Sequence, residues 1–356
     1  MKKLKVGILT SGGDCQALNA AMRGVALALY EKNKETQIIG IEDGFTGLVK
    51  GNFRELKRED FENILCLGGT ILGSSRMNFK DIEKKDDEGL EKIPSMIENY
   101  KKLELDCLVV LGGNGSQKTA RLLSERGLNI VSLPKTIDND VASTDMTFGF
   151  DSALEIATET IDNIKTTAQS HSRIFIVEIM GHKTGHLTLN AGVASGADII
   201  LLPEIPYDIV SVCNKIKDNE AKGKNYSIIA IAEGAKSLDD VNLSKKEYKA
   251  KMGSLSISFI LATQLRSICE KDVRVTIPGH VQRGGEPCPQ DRILASRLGS
   301  EAAQYILEGK FGVMAALNGE KVVPVPLNEV AGFTKFVEKD CDMIKQAKQL
   351  GICFGD

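Results

Sequence analysis

Residues 5–14 read K-V-G-I-L-T-S-G-G-D. The first half is a short apolar run without polar interruption, and it stops at a serine and two glycines. Such a run suits a strand covered on both faces, as parallel strands are. A new pattern starts at once: A-L-N-A-A-M-R-G-V-A-L-A-L-Y (17–30) is apolar at helical spacing. Strand, glycine turn and helix in that order make the unit of a parallel α/β sheet. If the unit recurs, this stretch decides the fold.

It recurs. D-C-L-V-V-L-G-G-N-G-S (106–116) and N-I-V-S-L-P-K-T-I-D-N-D (129–140) end in the same way. So do R-I-F-I-V-E-I-M-G-H (173–182), Y-S-I-I-A-I-A-E-G-A (226–235) and V-R-V-T-I-P-G-H-V-Q-R-G-G (273–285). Helical patterns lie between them. S-A-L-E (152–155) has the form of a capping box and opens a stretch in which Leu154, Ala157, Ile161 and Ile164 share a face. The expected fold class is α/β, with open, mainly parallel sheets. A chain of 356 residues exceeds one core and implies about two domains. In such sheets ligands bind outside the carboxyl ends of the strands. The special residues all read as strand ends, which predicts loops from two domains facing one cleft.

Composition narrows the function classes. The net charge is −3 and no long basic run occurs, which argues against a nucleic-acid partner. No window approaches 18 consecutive apolar residues, so no membrane span is expected. The eight cysteines are scattered without a C-x-x-C pair and there are only four histidines, so a structural zinc site is not expected. These features read as a cytoplasmic, reduced protein. The charged stretch 80–93 reads as a solvated loop or helix face.

Two glycine turns, S-G-G-D (11–14) and G-G-N-G-S (112–116), each lead into a helix. They read either as plain turns or as places where a phosphate approaches the backbone beside unpaired helix N–H groups. Neither is a Walker loop, and no G-x-G-x-x-G follows a strand. Arg76, Arg173, Arg274 and Arg283 sit beside such turns or boundaries. Each alone reads as a solvated side chain; together they suit clamps on phosphate oxygens. His280 is structural by itself and a phosphate contact beside Arg283. Glu233 reads as a cap or as a ligand to a sugar hydroxyl. T-I-D-N-D (136–140) is either an Asx-rich turn or a catalytic run. In an extended stretch Asp138 and Asp140 point the same way. One could take a proton from an attacking hydroxyl while the other orients it or holds Mg2+, with Lys135 supplying positive charge.

T-S-G-G-D…N-A-A-M-R-G (10–24), G-G-T-I-L-G-S-S-R (68–76), G-G-N-G-S, P-K-T-I-D-N-D (134–140), V-E-I-M-G (177–181) and G-H-V-Q-R-G-G-E-P-C-P-Q-D-R (279–292) resemble the bacterial-type 6-phosphofructokinases, in the family's order and over roughly residues 5–300. The resemblance implies two doubly wound domains with the site in the cleft between them. Residues 1–149 with 283–333 would bind the phosphoryl donor, residues 150–282 fructose 6-phosphate, and 334–356 would form a C-terminal segment. It implies phosphoryl transfer to the 1-hydroxyl of fructose 6-phosphate, with Asp138 as general base and Thr136 and Asp140 beside it. Met180, Gly181, Glu233, His280 and Arg283 would bind the sugar phosphate, joined by Arg173 and Arg274 from a neighbouring subunit. Gly13, Arg76, Asn114, Gly115, Ser116 and Lys135 would form the donor site. Mg2+ is the implied cofactor and the oligomer a homotetramer or dimer. An effector site would use Arg23, Arg58, Lys165, Asp198, Lys222 and Lys224, with Leu27 where some members have another arginine.

The sequence departs from the family pattern at several positions. Asn114 replaces the usual aspartate of G-G-D-G-S, the Mg2+ partner. Glu42 stands where many ATP users have an aromatic ring, His182 replaces an arginine, and C-Q-A-L-N (15–19) replaces A-P-G-M-N. The donor follows from two positions. Pyrophosphate users resemble G-G-D-D, whose second carboxylate fills and charges the space of the ATP α-phosphate; here that position is Gly115, which favours ATP. Lys135 is the residue of pyrophosphate users, shared by some ATP users. The leading reading is therefore an ATP-dependent enzyme, with a pyrophosphate-dependent one and a non-catalytic sugar-phosphate or nucleotide sensor as alternatives.

Overall fold

The computed structural model describes residues 3–253 and 255–356. In chain order the strands are β1 (Lys5–Ser11), β2 (Gln37–Ile41), β3 (Phe53–Leu56), β4 (Cys107–Gly112), β5 (Ile130–Pro134), β6 (Ile174–Ile179), β7 (Ile199–Leu201), β8 (Ser227–Ala232), β9 (Val273–Thr276), β10 (Val313–Asn318) and β11 (Lys321–Pro326). All six apolar runs are strands, and each of β4, β6 and β8 is buried along its whole length. Continuous apolar sequence is what two covered faces require. By internal packing the chain forms two units, Met1–Ser152 with Arg283–Lys335, and Ala153–Gln282 with Phe336–Asp356.

The first unit is built on one sheet of order β11-β10-β5-β4-β1-β2-β3, parallel except for β3 and β11. Strand order reverses between β1 and β4, which are neighbours in register with Ser11 opposite Gly112. The two glycine turns therefore leave the sheet side by side at its switch point, where α/β sheets bind ligands. The β10–β11 hairpin closes one edge through a two-residue turn with Gly319 at φ 57°. Pro324 and Pro326 are tolerated on β11 because it is an edge strand.

The second unit carries a four-stranded parallel sheet of order β7-β8-β6-β9. Its core joins Ile176, Ile199, Ile229 and Ile231 to Ile257 and Leu261 of the helix Ile257–Ile268. Residues 336–356 belong to this unit: Cys353 bridges Ile199 beside β7, and Phe354 is fully buried.

The long helix Phe150–His171 corrects two expectations. Ser152 lies inside the helix and does not cap it. Its N–H (2.8 Å) and hydroxyl (2.6 Å) both go to the buried carboxylate of Asp291, which also accepts from Gly149 N–H (2.9 Å). A distant carboxylate satisfies the helix start, so no local capping box is needed. The fully buried stripe is Ala153, Ala157, Ile161 and Ala168, whereas Leu154 and Ile164 are half-buried. Stretch 80–93 is largely exposed; it begins in the short 3-10 turn Phe79–Asp81 and becomes α-helical only at Lys92.

Candidate active site

The turn after β1 is held open by glycine. Gly12 has φ 89°, a conformation that costs a side-chain residue more than glycine. The loop 73–76 docks on this turn: Thr10 Oγ1 donates to Gly73 O (2.7 Å), Gly12 N–H to Ser75 O (2.9 Å) and Ser74 Oγ to Gly12 O (2.7 Å). Arg76, exposed, directly follows Ser75, the residue that Gly12 bonds. It borders a cavity of about 310 Å³ also lined by Met77, Thr46, Lys50 and Lys92. Beside it, the helix Asn114–Glu125 starts at the end of β4, so Gly115 and Ser116 occupy its first turn. A Cβ added at Gly115 would meet nothing within 4 Å, whereas one at Gly112 would lie 2.2 Å from the Ser116 Cβ. Gly112 is needed for packing; the side-chain direction of Gly115 faces open space.

Lys135, buried, reaches back from the end of β5 to donate to Gly13 O. Burial pushes its pKa down; Arg283 pushes the same way, while Cys15, Asp138 and Asp14 oppose. Arg283 donates to Asp14 O (2.8 Å), so two cations flank the Gly12–Gly13 turn. The Cys15 thiol is pushed up to about 12 by burial and stays protonated beside Lys135.

The run after Lys135 is not extended. Asn139 takes φ 49°, which breaks strand alternation, so the shared direction expected of Asp138 and Asp140 does not come from a strand. A set of hydrogen bonds shapes it instead. Asp138 N–H donates to Thr136 Oγ1 (3.0 Å), and Thr147 Oγ1 donates to Thr136 O (2.9 Å). Asn114 Nδ2 donates to the Asp140 carboxylate (2.7 Å) and to Asp140 O (3.0 Å). Asn114 thus ties the helix start to the acid pair, and its Oδ1 is buried without a hydrogen-bond partner among the described residues.

In the second unit Met180, Gly181 and His182 turn sharply after β6, with Gly181 at φ 151° and His182 at φ 53°. The Glu233 carboxylate accepts from Gly181 N–H (3.2 Å) and His182 N–H (2.7 Å), and Gln282 Oε1 accepts from Met180 N–H (3.3 Å). His280 is exposed on the short turn Gly279–Arg283. Arg173 and Arg274 do not join this group. Arg173 precedes β6 and Arg274 is the second residue of β9, so both lie at the amino end of the sheet. This corrects the expectation that every special residue marks a carboxyl end. The two arginines share Asp272, at 2.9 and 2.7 Å.

A family model described as Phosphofructokinase matches residues 5–306. The chain belongs to the phosphofructokinase family. It is 49% identical to the ATP-dependent 6-phosphofructokinase of Spirochaeta thermophila, over 98% of this chain and 97% of that one. It is 44% identical to the ATP-dependent 6-phosphofructokinase of Propionibacterium freudenreichii, over 99% and 100%. Among solved structures, Pichia pastoris phosphofructokinase in the T-state matches with TM-score 0.78 and 32% identity, covering 98% of this chain and 36% of that chain. A pyrophosphate-dependent phosphofructokinase from Nitrosospira multiformis shares the fold at TM-score 0.81 and 20% identity, over 99% and 92%.

Within this family the departures acquire structure. Asn114 keeps the contact to Asp140 that an aspartate would make repulsive. Glu42 is paired with Arg54 (3.2 Å). His182 is exposed and holds Glu233 through its backbone only among the described contacts. Of the effector candidates, Lys165 donates to Ser195 O, and Lys224 pairs with Asp198 (2.5 Å) at the start of β7. Lys222 is exposed behind the helix Ile209–Ala221, and Arg58 pairs with Glu31 (2.5 Å). Arg23 lies in the helix Leu18–Lys32 with its Nε buried and unpartnered among the described residues. Three residues that organise the site escaped the sequence reading: Gln282, Asp291 and Lys335. The Gln282 signal was present in G-H-V-Q-R, where it stands between two residues that were singled out. Asp291 and Lys335 have no local signal, because their partners are remote in sequence.

Proposed function

We infer that the protein transfers the γ-phosphoryl group of ATP to the 1-hydroxyl of fructose 6-phosphate, giving fructose 1,6-bisphosphate and ADP, with Asp138 as general base. The observation that carries this reading is the Asn114–Asp140 hydrogen bond (2.7 Å), which brings a helix start suited to phosphate against the Asp140 carboxylate, two residues from Asp138. Asp138 accepts the proton of the attacking hydroxyl. Thr136 orients Asp138 through its N–H, and Asp140 stays aligned through Asn114. The Gly12–Gly13 turn, Ser116 and the helix N–H groups receive donor phosphates, with Lys135 and Arg76 supplying positive charge. Open space at Gly115 supports ATP over pyrophosphate, because an α-phosphate needs that space. Lys135 is the one feature that favours pyrophosphate.

Mg2+ fits this reading. The unpartnered Asn114 Oδ1 would hold it, directly or through water, and among the described residues no acidic, histidine or cysteine cluster could cage a metal alone. Mg2+ keeps waters and phosphate oxygens as ligands, so a cage is not required. When bound it neutralises charge on the transferring phosphates.

Met180, Gly181, Glu233, His280 and Arg283 bind the sugar phosphate of the same chain. Arg173 stands seven residues before Met180 along β6, and Arg274 pairs with Phe175, five residues before it, so both lie roughly 15–25 Å from Met180. That distance supports their serving a neighbouring subunit's site, in a homotetramer or dimer. Arg23, Arg58, Lys165, Asp198, Lys222 and Lys224 form the proposed effector set, and the protein is placed in the cytoplasm. Purified protein assayed with fructose 6-phosphate and Mg2+, with ATP or pyrophosphate in separate reactions, tests the reading. Turnover with ATP is expected. Turnover with pyrophosphate alone overturns the donor assignment, and no turnover with either overturns the kinase.

A further inference from the structure

Lys335 is a partly buried lysine that the phosphoryl-transfer scheme above does not use. It stands at the end of the first unit, just before the chain enters the second at Phe336. Its Nζ donates to Asn139 Oδ1, Thr144 O and Asp145 O, each at 2.9 Å. Its backbone N–H donates to Asp140 O (2.9 Å), and the preceding residue, Thr334, forms an antiparallel bridge with Val141. An ammonium carries three donors and no acceptor, so three oxygen partners match it in number and in kind.

The partners matter more than the count. Asn139 separates Asp138 from Asp140 and is held at φ 49°, a left-handed conformation in which asparagine is tolerated. Its Oδ1 accepts from Lys335 and from Thr147 N–H (3.1 Å), so the lysine fixes the side chain that fixes the turn. The 144–145 segment is held from the other side: Thr144 Oγ1 accepts from Leu317 N–H (3.0 Å), and the Asp145 carboxylate from Gly319 N–H (2.6 Å). One amine thus links the acid-pair turn to a segment locked on the β10–β11 hairpin. Burying an ammonium is costly, and burial pushes this one down to about 8, with Asp145 and Asp140 opposing.

We propose that Lys335 is a positioning residue for phosphoryl transfer: by clamping Asn139 and the 144–145 segment it sets the placement of Asp138 and Asp140. The proposal rests on the reading of Asp138 as base. A misplacement of about 1 Å in reacting groups can cost about 10²-fold in rate. The Lys335 bonds to Asn139, Asp140 and the 144–145 segment all shape the acid-pair turn, so its loss is expected to act on turnover more than on binding.

The test is steady-state kinetics on Lys335→Met, Lys335→Gln and Lys335→Arg, with thermal melting of each. Lys335→Met is expected to lower kcat about 10- to 100-fold while both KM values stay within about threefold. Lys335→Gln, which keeps donors but no charge, and Lys335→Arg, which keeps both, are expected to recover part of that loss in that order. A kcat for Lys335→Met within twofold of wild type overturns the proposal, whatever happens to the melting temperature. Should Lys335→Met not fold, a folded Lys335→Gln with reduced kcat at unchanged KM supports it, and one with wild-type kcat overturns it. Failure of both to fold makes the lysine purely structural and overturns it as well. Asp138→Asn run in parallel separates the two failures. If Asp138→Asn is fully active, the base reading is wrong; if it is inactive beside a fully active Lys335→Met, only the present proposal is.

Discussion

The two ends of the four-stranded sheet carry different kinds of residue. At the carboxyl end, Met180, Gly181 and His182 are pinned by Glu233 and Gln282, and the backbone takes values that demand those contacts. At the amino end, Arg173 and Arg274 share a single half-exposed carboxylate and nothing else of comparable strength holds them among the described residues. The carboxyl end is built to present a fixed shape. The amino end presents two charges whose partner, Asp272, can be exchanged for another anion at little cost, because exposed ion pairs are worth at most about 1 kcal/mol. A sugar phosphate offers such an anion, so weak internal pairing is what a donated arginine needs.

The largest effect should come from the fixed carboxyl ends. Asp138→Asn is expected to cut kcat by about 10²–10⁴ with KM for fructose 6-phosphate nearly unchanged. A rise in KM instead would erase the distinction between shape-holding and charge-donating regions. Next, Gly115→Asp places a carboxylate in open space at the helix start and should lower kcat/KM for ATP by about 10²-fold, since facing like charges costs several kcal/mol. Fructose 6-phosphate KM should barely move; a wild-type rate with ATP would remove the steric and electrostatic argument for the donor.

The amino end predicts a smaller change, in binding. Arg274→Ala should raise KM for fructose 6-phosphate about 10-fold, the worth of a charge-assisted hydrogen bond, whereas Asp272→Asn should change it less than about threefold. Mixing inactive Asp138→Asn with Arg274→Ala and letting subunits exchange should restore a site of two intact halves. Absence of any regain would return both arginines to their own chain's surface. The smallest expected effect concerns pH. Lys335 titrates near 8 when folded and at 10.5 when unfolded, so between those values the unfolded chain holds the extra proton and stability rises with pH. The unfolding free energy of the wild type relative to Lys335→Met, from denaturant titrations, should rise by about 1–2 kcal/mol across that window, discounted for partial exposure.

Much of the site was legible because its signals are local. Apart from Arg76, the proposed catalytic and donor residues sit on a glycine turn or a short polar run that ends an apolar strand, and the six apolar runs are β1, β4, β5, β6, β8 and β9. What misled was local evidence read without its surroundings. S-A-L-E has capping form, yet Asp291, 139 residues away, takes the Ser152 hydroxyl. Arg173 and Arg274 lie in the same runs as true carboxyl-end residues, and only the strand limits place them at the other end. The β10–β11 hairpin went unread although N-G at 318–319 marks its turn.

The sequence alone determined strand, turn and helix order, hence a parallel α/β fold, and it exposed the residue types that phosphoryl transfer needs. These depend on apolar periodicity and on glycine, properties of neighbours in the chain. Only the tertiary structure decided which polar groups hold the acid pair. Lys335 reaches Asn139 across 196 residues, and no pattern along the chain records that pairing. A buried donor must find acceptors wherever the fold brings them. The identity of the partner is therefore a property of packing, while the presence of the run it serves is a property of the sequence.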